Sequence, residues 1–292
     1  MPSARDVMTA NLAAYNARDL EAFLASFDPD VEMHDLRSGA VSRGVDDVRA
    51  RYSALFASSP ALHSRILHRS VLGDLVHDHE LITGRTGGDA EFLITYEVRD
   101  GRIRRVWWAR AAATGVHIVR AEPADLDIVL ELGASTYREH FAAIWSPDGL
   151  ARYLAGEFDR AAVADELGSI TTTYLLGLAP APTGFAKLRL DRAVPGDATG
   201  TGVELQKIYV RRAAIGSGLG AQLLAAAIDV ARAAGEALIW LDVLKTNPGA
   251  RRFYERYGFR VTGELPFASD LDEQGMWVMT RPTEKLARRH AP

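Results

Sequence analysis

Apolar residues recur at helical spacing in three places near the start of the chain, and beyond Leu62 they alternate with polar ones. Ser3, with Asp6 three positions on, reads as a capping box ahead of Met8, Leu12 and Tyr15, each side chain satisfying a free amide of the first turn. Asp19 opens a second run with Leu20, Phe23, Leu24 and Phe27, and a third amphipathic run lies at 45–57. The segments SRILHRSVL, LVHDHELITG, EFLITYEV and RIRRVWWAR predict four strands, since period-two alternation gives each a single apolar face. Asp100-Gly101 between the last two predicts a tight hairpin with positive φ at both central residues. Helices followed by such a meander predict an α+β domain over 1–112.

AAATG at 111–115 carries no pattern, which places a linker at 113–115. A strand and a helix restart in VHIVRAEPADLDIVLEL, with Pro123 in the helix's first turn. Helical segments then reach about 167. Strands follow near 171–178 and 183–190, then VELQKIYV, a glycine-rich turn, a helix with Leu219, Leu223, Leu224, Ala227 and Val230 on one face, the strand ALIWLDV, a helix at 248–257, and strands near 259–264 and 274–281. This second, α/β domain is expected over 116–283, with 284–292 as a tail.

Composition narrows the chemistry. The 292 residues carry a formal net charge of −4 spread along the chain, with no basic arm or stripe for nucleic acid and no polybasic cluster for anionic lipid. Cysteine is absent, which excludes disulfides, thiolate metal sites and cysteine nucleophiles. Lysines are few, Lys187, Lys207, Lys245 and Lys285, leaving little room for Schiff-base chemistry. No apolar run approaches the ~18 residues of a membrane span, and a cytoplasmic protein is expected.

The turn IGSGLGAQLL at 215–224 holds Gly216, Gly218 and Gly220 between a strand and a helix. A phosphate P-loop would follow its last glycine with lysine and a hydroxyl residue, but Ala221-Gln222 stand there. A dinucleotide fingerprint needs GxGxxG, and this spacing is GxGxG; Asp242 alone does not rescue it. Two readings remain: glycines that only allow close packing, or a diphosphate cradle of free amides at a helix N-terminus.

Farther on, NPGARRFYERYGF places Asn247, Ala250, Phe253, Tyr254, Gly258 and Phe259 in a pattern that, with VRRAAIGSGLGAQLL before it, resembles the two cofactor motifs of the Gcn5-related N-acetyltransferase (GNAT) superfamily. The resemblance spans about 116–283 and lies nearest the polyamine acetyltransferase branch through ELQKIYV, IWLDV and TYREHF. It departs at Ile215, where the family usually has arginine or glutamine; Arg211 or Arg212 is the substitute at hand.

The resemblance implies a mixed sheet splayed beside VELQKIYV, acetyl-CoA as co-substrate, and direct attack by a small or polyamine-like amine. Ile208, Tyr209 and Val210 would pair with the pantetheine arm through main-chain groups. Ile215, Gly216, Ser217, Gly218, Leu219, Gly220 and Ala221 would hold the diphosphate, and Asn247 would bond the arm. Tyr254 would sit near the sulfur and protonate the leaving thiolate, with Glu204 as general base. Glu204 reads equally as a solvated strand residue, Tyr254 also as a core tyrosine, and Asn247 before Pro248 as a helix cap. On the acceptor side, Tyr137 and His140 fall on one helix, and Asp270, Asp272 and Glu273 form an acidic loop or a solvated turn. Binding of coenzyme A without catalysis is the alternative that Ile215 suggests.

The first domain, over about 5–110, is similar to the cone-shaped nuclear transport factor 2-like (SnoaL-like, ketosteroid-isomerase-like) fold through its pattern of helices and long strands. That similarity implies a pocket between sheet and helices, serving an isomerase or cyclase, ligand binding, or homodimer formation. His34, Asp35 and the run His77, Asp78, His79, Glu80 are its candidate polar groups. On a strand His77 and His79 share one face, Asp78 and Glu80 the other. No third ligand accompanies the two histidines, so no metal is assigned, and Asp35 or Asp78 is the candidate proton shuttle.

Overall fold

The structure is a computed structural model that describes residues 1–112, 115–179, 181–196, 200–271, 273 and 275–283. Two compact units divide the chain, Met1–Gly115 and Val116–Pro292. The tail expected at 284–292 lies outside the described residues, as does most of the linker.

The first unit opens with α1 (Ala4–Ala17), and Ser3 and Asp6 form the capping box. Next come α2 (Leu20–Leu24), whose N-cap Asp19 accepts from the Ala22 amide, β1 (Phe27–Asp35), β2 (Val41–Arg43) and α3 (Val45–Ser58). The four expected strands are β3 (His63–Leu72), β4 (Leu75–Thr83), β5 (Ala90–Arg99) and β6 (Arg102–Ala112). Asp100 and Gly101 have φ of 52° and 75°, as the β5–β6 hairpin requires.

Sheet order is β2-β1-β6-β5-β4-β3, with β1 parallel to β6. β1 was not foreseen, because Pro29 and its acidic neighbours break the apolar alternation. The register slips between Phe27 and Glu32, and this irregularity accommodates the proline. The helices cover one face of the sheet over an aromatic core of Tyr15, Phe23, Phe27, Tyr52 and Phe56.

On that inner face Asp78 is fully buried and held by Arg69 through two 2.7 Å hydrogen bonds, Nε to Oδ1 and Nη2 to Oδ2. Arg69→Met strands a buried carboxylate. It is expected to cost about 3–5 kcal/mol in urea unfolding monitored by tryptophan fluorescence; a loss within error of zero would show the pair to be dispensable.

The second unit comprises β7 (His117–Arg120), a 3-10 turn (Pro123–Asp125), α4 (Leu126–Phe141), α5 (Pro147–Glu157), α6 (Arg160–Gly168), β8 (Thr172–Leu178), β9 (Pro182–Ala193), β10 (Thr201–Val210), α7 (Leu219–Ala233), β11 (Leu238–Leu244), α8 (Pro248–Arg256), β12 (Arg260–Leu265) and β13 (Met276–Pro282). Its mixed sheet runs β12-β13-β11-β10-β9-β8-β7. β10 and β11 are its parallel pair, joined through the crossover helix α7. Leu219, Leu223, Leu224, Ala227 and Ala231 of α7 are buried against Leu205, Ile239, Leu241 and Val243. Among the described residues no helix is long and apolar enough to cross a membrane.

Candidate active site

Parallel pairing of β10 with β11 covers Val203 with Ile239 and Glu204 with Trp240, and then stops. β10 continues over 205–210 and β11 over 241–244 without pairing to each other, so a cleft opens between two central strands. A slip of β10 against β9 between Leu205 and Lys207 marks the bend.

At the cleft end of β10 the chain makes a 3-10 turn (Arg212–Ala214) and enters α7 through the glycine turn. Gly216 and Gly218 take φ of 87° and 86°, a region that costs other residues about 1–2 kcal/mol. A Cβ at either would meet nothing within 4 Å, so the space over the turn is open. Ser217 N donates to the Ala214 carbonyl at 3.2 Å and Leu219 N to the Ser217 hydroxyl at 3.3 Å. The amides of Gly216, Gly218, Gly220 and Ala221 find no acceptor among the described residues. Four free donors at the start of a 15-residue helix favour an anion.

Ile215 is 62% exposed and gives the turn no charge. Neither arginine considered as a substitute is available. Arg211 Nη2 binds both oxygens of Glu131, at 3.0 and 2.8 Å, and Nη1 the Ser135 hydroxyl. Arg212 donates its amide to Glu139 Oε2 at 2.6 Å and its guanidinium to the Glu139 carbonyl. Both are committed to α4, which leaves the backbone as the anion seat.

Ile208, Tyr209 and Val210 lie on the stretch of β10 that pairs with β9 but no longer with β11. The Val210 carbonyl already accepts from His140 Nε2 at 2.7 Å, so one of the expected pairing groups is occupied. Tyr209 turns into an aromatic cluster with Tyr137, Phe141 and Phe185. Asn247 caps α8, its Oδ1 accepting from the Ala250 amide at 3.0 Å. Tyr254 is buried, and desolvation followed by the charge of Asp242 holds its phenol well above the usual range. It stays protonated at neutral pH.

Val203 and Leu205 face α7, so Glu204 projects to the other side of the sheet. It lies at the closed end of the cleft, with Oε2 3.5 Å from Arg192 Nε and its side chain 11% exposed. Asp242 shares that face and lies two residues beyond Trp240, where β11 has parted from β10. Burial, reinforced by the Glu204 charge and opposed by Lys207, pushes its carboxyl up to about 6. The sequence singled out Glu204 and passed over Asp242, whose one sign was a carboxylate in an otherwise apolar strand.

On the acceptor side, Tyr137 stacks on Tyr153 with ring centres 4.5 Å apart, and Trp145 stacks on Tyr153 at 5.1 Å. Asp270 is tied to the start of α5 through Ser146, Glu273 bridges to Ala268, and Asp272 lies outside the described residues.

In the first unit His77 hydrogen-bonds Thr95 and His79 hydrogen-bonds Glu91, while Asp78 and Glu80 are buried on the opposite face. His34 lies 3.4 Å from Glu32 and stacks on Trp107. Among the described residues no group of three or more metal-ligating side chains forms. Asp78 is held by Arg69, and Asp35 Oδ1 accepts from the Arg37 and Ser38 amides, so neither is a free base.

The family model of the acetyltransferase (GNAT) family matches residues 136–259, and that of the SnoaL-like domain matches residues 8–106. Over 173 residues, 58% of this chain and 98% of the relative, the sequence is 29% identical to an uncharacterised N-acetyltransferase in the pepI 3′ region of Lactobacillus delbrueckii subsp. lactis. Among solved structures, PaiA N-acetyltransferase from Thermoplasma acidophilum in complex with coenzyme A is 17% identical, with 57% of this chain and 99% of that one covered and a TM-score of 0.48. An uncharacterised cystatin-fold protein from Novosphingobium aromaticivorans is 24% identical, with 37% and 98% covered and a TM-score of 0.34.

Proposed function

We propose that this chain, which belongs through residues 136–259 to the acetyltransferase (GNAT) family and through residues 8–106 to the SnoaL-like domains, transfers acetyl from acetyl-CoA to the nitrogen of a small primary amine. The observation that carries this reading is the parting of β10 and β11 beside four unpartnered amides at the start of α7. Those amides, from Gly216, Gly218, Gly220 and Ala221, suit a diphosphate, and the unpaired edge at 208–210 suits the amide-bearing arm behind it. Asn247 keeps its Nδ2 for that arm while Oδ1 caps α8. Acetyl-CoA supplies a thioester carbonyl activated for acyl transfer.

An alkyl amine with a pKa of about 10.4 must lose a proton before it attacks, at a cost of roughly 4–5 kcal/mol at pH 7. We assign uptake of that proton to Asp242, on the face of β11 opposite α7 and just beyond the last β10–β11 pair, with Glu204 keeping it basic through its charge. The amine nitrogen then forms the N–C bond as the C–S bond breaks, the Tyr254 phenol gives its proton to the departing thiolate, and the second proton shed by the nitrogen restores the phenol, leaving a neutral amide and free thiol. No covalent link to the protein is required. Stacked Tyr137, Tyr153 and Trp145 offer aromatic faces to a cationic amine before it loses its proton.

The test combines acetyl-CoA-dependent thermal stabilisation with release of free thiol across a panel of small amines, polyamines and peptide N-termini. Stabilisation with thiol release on small amines is expected. Turnover of peptide N-termini alone would overturn the acceptor class, and stabilisation without turnover would leave a coenzyme A binder.

A further inference from the structure

Between the helices and the inner face of the first unit's sheet lies a cavity of about 60 Å³ that acetyl transfer does not use. Its walls are aromatic and aliphatic, with Tyr15, Phe23, Tyr52, Tyr96 and Trp108 among them, and two charged residues join them, Glu80 and Arg51. Glu80 is buried; Oε2 accepts from the Ser64 hydroxyl at 2.8 Å and Oε1 from the Tyr96 hydroxyl at 3.1 Å. Each of its oxygens has one donor, burial and then the charge of Asp78 push its carboxyl up to about 7, and it forms a buried polar floor to the cavity.

Strand register places the opposing charge. Glu80 stands opposite Phe92, and Phe92 opposite Arg110, so the three share one face in a row. Two strand spacings put Glu80 and Arg110 about 10 Å apart at Cα. Trp108 lies two positions before Arg110 on the same face, and the Arg51 guanidinium sits 4.8 Å from the Trp108 ring centre. Arg85 follows β4 immediately after Gly84.

None of Arg51, Arg85 and Arg110 forms an ion pair among the described residues. Asp35, opposite Trp108 on β1, is engaged with its own turn. Burial first, then Arg110 and Arg51, hold the Arg85 guanidinium below its ordinary range. Arginines without an ion pair among the described residues, beside a cavity with aromatic walls and a polar floor, favour an amphipathic anion.

We propose that the first unit binds a small organic monocarboxylate bearing a polar group at its far end. Its carboxylate meets Arg51, Arg85 and Arg110, its carbon chain lies among Tyr15, Tyr52 and Trp108, and its polar end reaches Glu80. At 10–15 Å³ per small occupant, the cavity takes on the order of four to six non-hydrogen atoms, enough for a short chain and its polar end with the carboxylate left at its rim. A neutral analogue leaves the arginines unpaired, and inorganic phosphate lacks the chain. The inference does not depend on the transferase reading.

Calorimetric titration of the full chain at constant ionic strength tests it, with 4-hydroxybutyrate as probe and 1,4-butanediol, butyrate and inorganic phosphate as comparisons. Saturable 4-hydroxybutyrate binding is expected, about tenfold or more tighter than the diol and tighter than butyrate. The double variant Arg51→Gln, Arg110→Gln should lose that margin while keeping the parent's near-ultraviolet circular dichroism and urea-unfolding transition, which certifies its fold. Absence of saturable binding, equal affinity for the diol or for phosphate, or parental 4-hydroxybutyrate affinity in the double variant overturns the proposal.

Discussion

Asp242→Asn is expected to lower kcat for amine acetylation by about 10²–10⁴-fold, the usual contribution of a positioned general base. The sign of the pH effect follows from its environment. Below about 6 the carboxyl is protonated and cannot accept, so kcat should fall about tenfold per pH unit on that side, and the limb should vanish in Asp242→Asn. Glu204→Gln removes one of the two causes that raise Asp242 and should move the limb to lower pH instead of deleting it. Stability carries the opposite sign. With its folded-state value raised above the ordinary 3.8, Asp242 binds more protons folded than unfolded between about pH 4 and 6, so its contribution erodes as pH rises through that window. Asp242→Asn should therefore be more stable than the parent at pH 8, by about 1–3 kcal/mol in denaturant unfolding. A slower enzyme that is harder to unfold marks a functional carboxylate; an unchanged acid limb in Asp242→Asn removes it from the mechanism.

Glu204 was legible and Asp242 was not, for a physical reason. Alternation shows that both stand on strands with one side apolar, but the distance over which two strands stay paired is decided by a slip at 205–207 and by the crossover between them. The glycine turn and the Asn247 cap could be read because their geometry is local, fixed by φ and by a side chain reaching three residues on. Arg211 and Arg212 looked free because their partners, Glu131 and Glu139, lie more than 70 residues away in the chain. In the first unit the pattern put Asp78 and Glu80 on one face of a strand, and the structure makes that face the inner one. Which of them meets a cation depends on the register of Arg69 opposite Asp78, and that left Glu80 against the cavity.

Gly218→Val is expected to weaken acetyl-CoA binding by about a hundredfold or more. Two independent costs combine. At φ 86° and ψ −5° a β-branched residue bears strain that a glycine avoids, about 1–3 kcal/mol, and relaxing it would turn the neighbouring amides away from a common point. The new side chain also enters space that the turn leaves open, over the donors of Gly216, Gly220 and Ala221. With no side-chain cation in the turn and both nearby arginines held by α4, nothing compensates for those donors. Gly220→Ala is the control: it lies inside α7 without positive φ, and its Cβ would meet the Phe253 ring at 3.9 Å, an ordinary contact. That variant should keep measurable affinity. Calorimetry reads both, and thermal shift gives an independent check, because a ligand at a hundred times its Kd stabilises by about 2.7 kcal/mol and that increment should be lost in Gly218→Val. Parental affinity in Gly218→Val would place the diphosphate elsewhere and take the transferase reading with it.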